Sequence, residues 1–89
     1  MAHMLVRHKV ADFETWKQVY DDHASAREAA GLKNPQLLRN EDDPNDVFIL
    51  FEVSDPAGAK ALVNSPDLKE SMEASGVLGQ PDIVFLAGA

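Results

Sequence analysis

The heptapeptide VFILFEV, Val47 to Val53, constrains this chain more than any other stretch. Its alternating residues Val47, Ile49, Phe51 and Val53 make one side of a strand, and Phe48, Leu50 and Glu52 make the other. Both sides are mostly apolar, so both need cover. A chain of 89 residues is expected to form one domain, residues 1–89, with few elements to supply that cover.

The flanking sequence sorts into elements by its period. HMLVRHKV, His3 to Val10, alternates as a strand, with Met4, Val6, His8 and Val10 on one face and Leu5, Arg7 and Lys9 on the other. In ADFETWKQVYDDHASAREAAG, Asp12 is a suitable N-cap. Phe13, Trp16, Tyr20, Ala24 and Arg27 then recur at helical spacing, with Val19 and His23 alongside. Gly31 supplies a left-handed stop, so the pattern predicts a helix over about residues 12 to 30. NPQLLRN, Asn34 to Asn40, reads as a second strand, with Pro35 at an edge or strand end. EDDPND, Glu41 to Asp46, is a hairpin loop leading into VFILFEV. SDPAGAKALVN opens a helix with Ser54 or Asp55 as cap and Pro56 at its first position. SPDLKESMEASG repeats that grammar, so this helical region should break near Asn64 and Ser65, with Leu68 and Met72 facing the core. Gly76 and Gly79 read as turn glycines, and PDIVFLAG, from Pro81, is the fourth strand, with Ile83 to Leu86 apolar on both faces.

The order βαββαβ predicts an α+β, ferredoxin-like fold: a four-stranded antiparallel sheet, two helices on one face, and the first and third strands central. That arrangement leaves the second sheet face open. Burying a Phe, Leu or Ile side chain contributes roughly 1.5–3 kcal/mol, so three or four of them left in water is a substantial loss for a small domain. Two such sheets packed face to face resolve the problem, and the expected partner is a second copy of the chain in a two-fold homodimer.

Composition narrows the function classes. Hydrophobic residues at 45% and charged residues at 26% suit a folded domain. Fifteen acidic residues against eight basic ones argue against a nucleic-acid partner, which needs clustered Lys and Arg. No apolar run approaches the roughly 20 residues that span a bilayer, and MAHM at the start does not lead into a secretory apolar region. The absence of cysteine removes thiolate chemistry and fits a reducing compartment, so the expected location is cytoplasmic.

Several branches of this topology fail on particular residues. RNA-recognition domains carry aromatics two apart on one face of the third strand, whereas Phe48 and Phe51 are three apart and face opposite ways. Metal-carrying relatives need a Cys pair, which this chain lacks, and amino-acid-sensing relatives usually have glycine where this chain has VAD, Val10 to Asp12. VRHKVADFETWKQVYDDHASAREAAG, RNEDDPNDVFILFEV and LKESMEASGV resemble the dimeric α+β barrel superfamily, in particular small bacterial antibiotic-biosynthesis-monooxygenase-like or cyclase-like proteins. The resemblance extends over the whole chain. It implies a homodimer whose sheets form a barrel, with a small apolar cavity in each subunit between sheet and helices. Relatives include cofactor-free oxygenases of aromatic polyketides, haem-degrading enzymes and isomerases. The haem-degrading pattern of Asn, Trp and His is not matched, because Trp16 lies in the first helix and no Asn lies in the first strand.

The candidate catalytic residues are His8 and His23. A neutral imidazole on either element could move a proton, since its pKa lies near working pH. The alternatives are a core His8 bonded to a backbone carbonyl, and a His23 packed at the solvent boundary beside Asp22. Trp16 and Tyr20, with Phe48 and Phe51, are the candidate aromatic surfaces for an apolar ligand, although such a stripe also serves as core. Arg7 and Arg39 could bind a carboxylate or enolate oxygen, or else make ion pairs with Glu52 or Asp46. No metal site is expected: His3 and His8, five apart in a strand, face opposite ways, and no His pair stands at helical spacing. No cofactor motif is present, with neither a phosphate loop nor a dinucleotide fingerprint. Two function classes stay open, a cofactor-free enzyme acting on a small apolar or aromatic compound and a non-catalytic dimeric ligand-binding or accessory protein.

Overall fold

A computed structural model describes residues 2–88. The element order is β1 (Ala2–Val10), α1 (Phe13–Asp22), α2 (Ala24–Ala29), β2 (Leu32–Arg39), β3 (Asp46–Val53), α3 (Pro56–Val63), α4 (Pro66–Ala74) and β4 (Val77–Leu86). The four strands form one antiparallel sheet in the order β2-β3-β1-β4, so the first and third strands are central, as the topology requires.

Strand register decides which side chains meet the helices. Met4 stands opposite Phe51, Val6 opposite Ile49 and His8 opposite Val47. On the other flank, Met4 pairs with Phe85 and Val6 with Ile83. These residues share one face, and with Val10, Trp16, Leu32, Val53 and Ala59 they build the core. The helices therefore cover the face that carries Met4, Val6, His8 and Val10.

Local chemistry sets the helix starts. The Asp12 carboxylate accepts from Thr15 N and Thr15 Oγ1, Asp55 accepts from Gly58 N, and Ser65 Oγ accepts from Leu68 N. Pro56 and Pro66 fill first-turn positions where no amide donor is needed. The break at Asn64 and Ser65 lies where the sequence places it.

The first helical region differs from expectation. It is not one helix over 12 to 30 but two, parted at His23, whose φ of −98° and ψ of 12° leave the helical range. Two side chains cover the carbonyls the break exposes. His23 Nδ1 donates to Val19 O at 2.9 Å, and Arg27 Nη1 donates to Tyr20 O at 2.6 Å. Gly31 then closes α2 with a φ of +88°, and a Cβ there would lie 2.7 Å from the Asp55 Cβ, so both conformation and space require glycine.

The edge strands are longer than the sequence suggests. β2 starts at Leu32, and its register shifts between Lys33 and Gln36, where Asn34 takes a positive φ of 47°. β4 starts at Val77 and slips between its pairings with Arg7 and Lys9, with Gly79 at a φ of +71° inside the irregularity. Bulges on edge strands tolerate Pro35 and Pro81, which have no amide to donate.

The second sheet face carries Leu5, Phe48, Leu50, Val84 and Leu86, with Leu38 at one edge. Leu38 is 55% exposed, Val84 47% and Leu86 41%. The even-numbered side of VFILFEV thus lies on an apolar surface that the chain's own helices do not cover.

Candidate functional site

A cavity opens between the helix-side sheet face and the helices. It leaves a volume of about 90 Å³ for the centre of a water-sized sphere. Strand residues Met4, Val6, His8, Ile49, Phe51 and Ile83 form its floor. Trp16, Val19, Tyr20, His23 and Arg27 come from the first helical region, and Leu62, Leu68, Ser71 and Met72 from the second.

An aromatic ladder organises one wall. Trp16 and Tyr20 are one helical turn apart and stack with centroids 5.0 Å apart and planes at 27°. The His8 ring meets Trp16 edge-on at 5.2 Å and 71°. At the other end the Arg27 guanidinium lies over the Tyr20 ring, 3.7 Å from its centroid. The ladder runs from His8 on β1, through Trp16 and Tyr20 on α1, to Arg27 on α2.

Among the described residues, three polar atoms of this wall's side chains have no protein partner. His8 Nδ1, His8 Nε2 and Tyr20 Oη are buried and make no hydrogen bond. Leaving such groups unpaired is costly in a protein interior. Burial pushes the His8 imidazole pKa below its ordinary value, because the apolar surroundings disfavour the cation. Burial likewise raises the Tyr20 phenol, partly offset by Arg27 and Lys17. Burial also lowers the Arg27 guanidinium, with opposing pulls from Tyr20, Asp21 and Glu28.

His23 is held from two sides. A carbonyl can only accept, so Nδ1 carries the proton toward Val19 O, and in the neutral ring Nε2 accepts from Ser71 Oγ at 3.3 Å. This contact ties the α1–α2 junction to α4 across the cavity.

The structure thus brings His8, His23, Trp16, Tyr20 and Phe51 to one cavity. It places Arg7, Arg39 and Phe48 elsewhere. Arg7 lies on the second sheet face, where Nε and Nη2 donate to the Asp46 carboxylate at 3.2 and 3.0 Å and the guanidinium lies 5.1 Å from the Phe48 ring centroid. Arg39 donates to Pro44 O at 2.9 Å and stacks over Phe13 at 3.8 Å. Sequence reading missed Arg27 and Ser71 as cavity residues. Arg27 had left one signal, a cation at the end of the Trp16–Tyr20 apolar stripe. Among the described residues, no cluster of three His, Asp or Glu side chains could hold a metal ion, and no helix is long and apolar enough to cross a membrane.

No protein-family model matches the sequence, and no curated protein matches it. Solved structures do match. The chain is similar to SnoaB, a cofactor-independent oxygenase from Streptomyces nogalater, with 14% identity over 99% of this chain and 92% of that one, at a TM-score of 0.76. A candidate antibiotic biosynthesis monooxygenase from Bordetella bronchiseptica aligns with 11% identity over 99% of this chain and 96% of that one, at 0.77. Another from Caulobacter crescentus aligns with 20% identity over 99% of this chain and 89% of that one, at 0.75. At such identities the likeness is one of fold. The chain shares the ferredoxin-like α+β fold of these antibiotic-biosynthesis-monooxygenase structures.

Proposed function

We infer that this chain forms a homodimeric, cofactor-free enzyme that takes an enolisable or phenolic aromatic compound into its cavity, with His8 as the base. The observation that carries this reading is the set of unpartnered atoms, His8 Nδ1, His8 Nε2 and Tyr20 Oη, in two residues that line one apolar cavity. A bound molecule with its own donor and acceptor groups would satisfy them.

The chemistry follows from the environment. Burial keeps His8 neutral near pH 7, so a lone pair is available. The imidazole takes a proton from an acidic C–H or O–H of the substrate and leaves an electron-rich anion. Tyr20, whose raised pKa keeps its hydroxyl protonated, donates a hydrogen bond to the oxygen that gains charge. Such an anion can reduce dioxygen itself. When an activated CH₂ becomes C=O, one oxygen atom enters the product and the other leaves as water. Trp16 and Phe51 pack the aromatic body and exclude solvent. The fold shared with a cofactor-independent oxygenase supports this class by analogy.

The second sheet face supports the dimer. Leu38, Val84 and Leu86, with the half-buried Leu5, Phe48 and Leu50, form a surface that a second copy would bury, and Phe48 belongs to that face and not to the cavity.

Oxygen uptake tests the reading, measured with a panel of hydroquinones and enolisable single-ring aryl ketones and no added flavin or metal. Wild type should consume oxygen with at least one of them, and His8→Ala should not, while remaining folded. A second reading, a non-catalytic binding protein, is favoured by the contact that locks His23 between Val19 and Ser71 and leaves His8 the one unengaged imidazole on the wall. A compound that binds, consumes no oxygen and is recovered unchanged would establish that reading instead.

A further inference from the structure

Arg27 is engaged by the fold through a single donor. Its Nη1 caps the Tyr20 carbonyl, and the face of its guanidinium lies on the Tyr20 ring. A guanidinium has five N–H donors in a planar fork, so most of its donating capacity remains. Like Lys33, Arg39, Lys60 and Lys69, Arg27 makes no ion pair among the described residues. Among the described residues it is the one Arg or Lys on the cavity wall, and no side-chain carboxylate shares that wall.

We propose that the cavity takes amphipathic organic anions, single-ring arylalkyl carboxylates in particular, with the carboxylate on Arg27 and the ring between Trp16 and Phe51. This deepens the reading above and rests on it, because it names the class of molecule the cavity admits. Asp21 and Glu28 act on Arg27 only from a distance, without an ion pair, and a carboxylate at its free donors adds the charge-assisted hydrogen bonds that they do not make. The chain carries a net charge of −7, so an anion finds few attractive places on it, and Arg27 gives one at the cavity itself. Size sets the rest. The cavity volume of about 90 Å³ suits one ring more than two, because benzene occupies engineered cavities of roughly 150 Å³. The ladder places Arg27 at the opposite end from His8. The anion therefore anchors one end of the ligand while the other end points at the imidazole.

Trp16, the single tryptophan, lies on the wall and reports binding through its fluorescence. We would titrate phenylacetate and its neutral counterpart phenylacetamide into wild type, Arg27→Lys and Arg27→Gln, with circular dichroism to check folding. The acid should bind wild type at least about tenfold more tightly than the amide, as a charge-assisted contact provides. Arg27→Gln should lose that preference, and Arg27→Lys should keep part of it. Equal affinity of acid and amide for wild type overturns the anion site and leaves the cavity reading standing. A preference that survives in Arg27→Gln overturns the assignment to Arg27. No fluorescence response to either compound overturns both this inference and the cavity reading beneath it. If Arg27→Gln does not fold, the wild-type comparison with Arg27→Lys decides.

Discussion

Replacing His8 by leucine should stabilise the protein. His8 is 6% exposed, and neither ring nitrogen has a partner. A buried polar group without a hydrogen bond costs about 1–3 kcal/mol, and leucine of similar bulk removes that cost. The opposing loss is the edge-on contact with Trp16 at 5.2 Å, worth about 0.5–1.5 kcal/mol. The balance favours the variant by about 1 kcal/mol, which raises Tm by roughly 4–8 °C in a domain of this size. Acid should widen the gap. Burial lowers the folded pKa of His8 below its ordinary value of 6.5, so the unfolded chain binds the proton first. The neutral imidazole therefore costs no stability through protonation above about pH 6.5. Stability is lost as pH falls from there toward the folded pKa, at up to about 1.4 kcal/mol per pH unit. His8→Leu lacks this loss. Thermal melts of both proteins at one protein concentration, from pH 7.5 to pH 5, measure the effect. A variant that melts lower than wild type, or a gap that does not change with pH, would refute the view that His8 is kept unpaired at a cost to stability.

Two other perturbations address the sheet. Hydrogen bonds from Arg7, and next from Asn40, hold the Asp46 carboxyl below its usual range, so its contribution is present above pH 3.8 and lost as pH falls through the depressed pKa. Asp46→Asn should therefore lower Tm at pH 7 and converge on wild type in strong acid, as melts at a series of pH values will read. Val84→Glu places a charge on the apolar sheet face opposite Leu5, where the side chain is 47% exposed in the single chain. Sedimentation should show a wild-type dimer and a folded monomeric variant, and a wild-type monomer at micromolar concentration would overturn the dimer.

The features legible in the sequence are those that one periodicity controls. Alternation in β1 and β3 identified the face of Met4, Val6, His8 and Val10 because a central strand, paired on both sides, has no freedom to slip. Caps at Asp12, Asp55 and Ser65 were legible because a short side chain reaching the amide three residues on is a local event. The break at His23 was not legible. No glycine or proline marks it, and it is stabilised by side chains reaching back, His23 to Val19 and Arg27 to Tyr20. The positions of Arg7 and Arg39 were open for a different reason. Both alternate correctly within their strands, but whether a strand face meets helices or lies outside them is a property of the assembled sheet. Arg27 escaped notice as a site residue because a cation at the end of a helix stripe usually points into water.

Three buried side-chain polar atoms without a partner among the described residues is an ordinary number for a native protein. Their distribution is what needs a cause. Packing defects would scatter them through the core, yet all three belong to two residues that line one cavity, His8 and Tyr20, on either side of Trp16. Water bound to these atoms would still leave the apolar floor of Met4, Val6, Ile49, Phe51 and Ile83 unfilled. A bound molecule that brings apolar surface for the floor and polar atoms for His8 and Tyr20 meets both demands at once. The same distribution explains why leucine at position 8 should be the more stable choice and still the wrong one for this chain. Stability alone would favour an apolar side chain there, so an imidazole kept unpaired in the core argues that binding or proton transfer is what it serves.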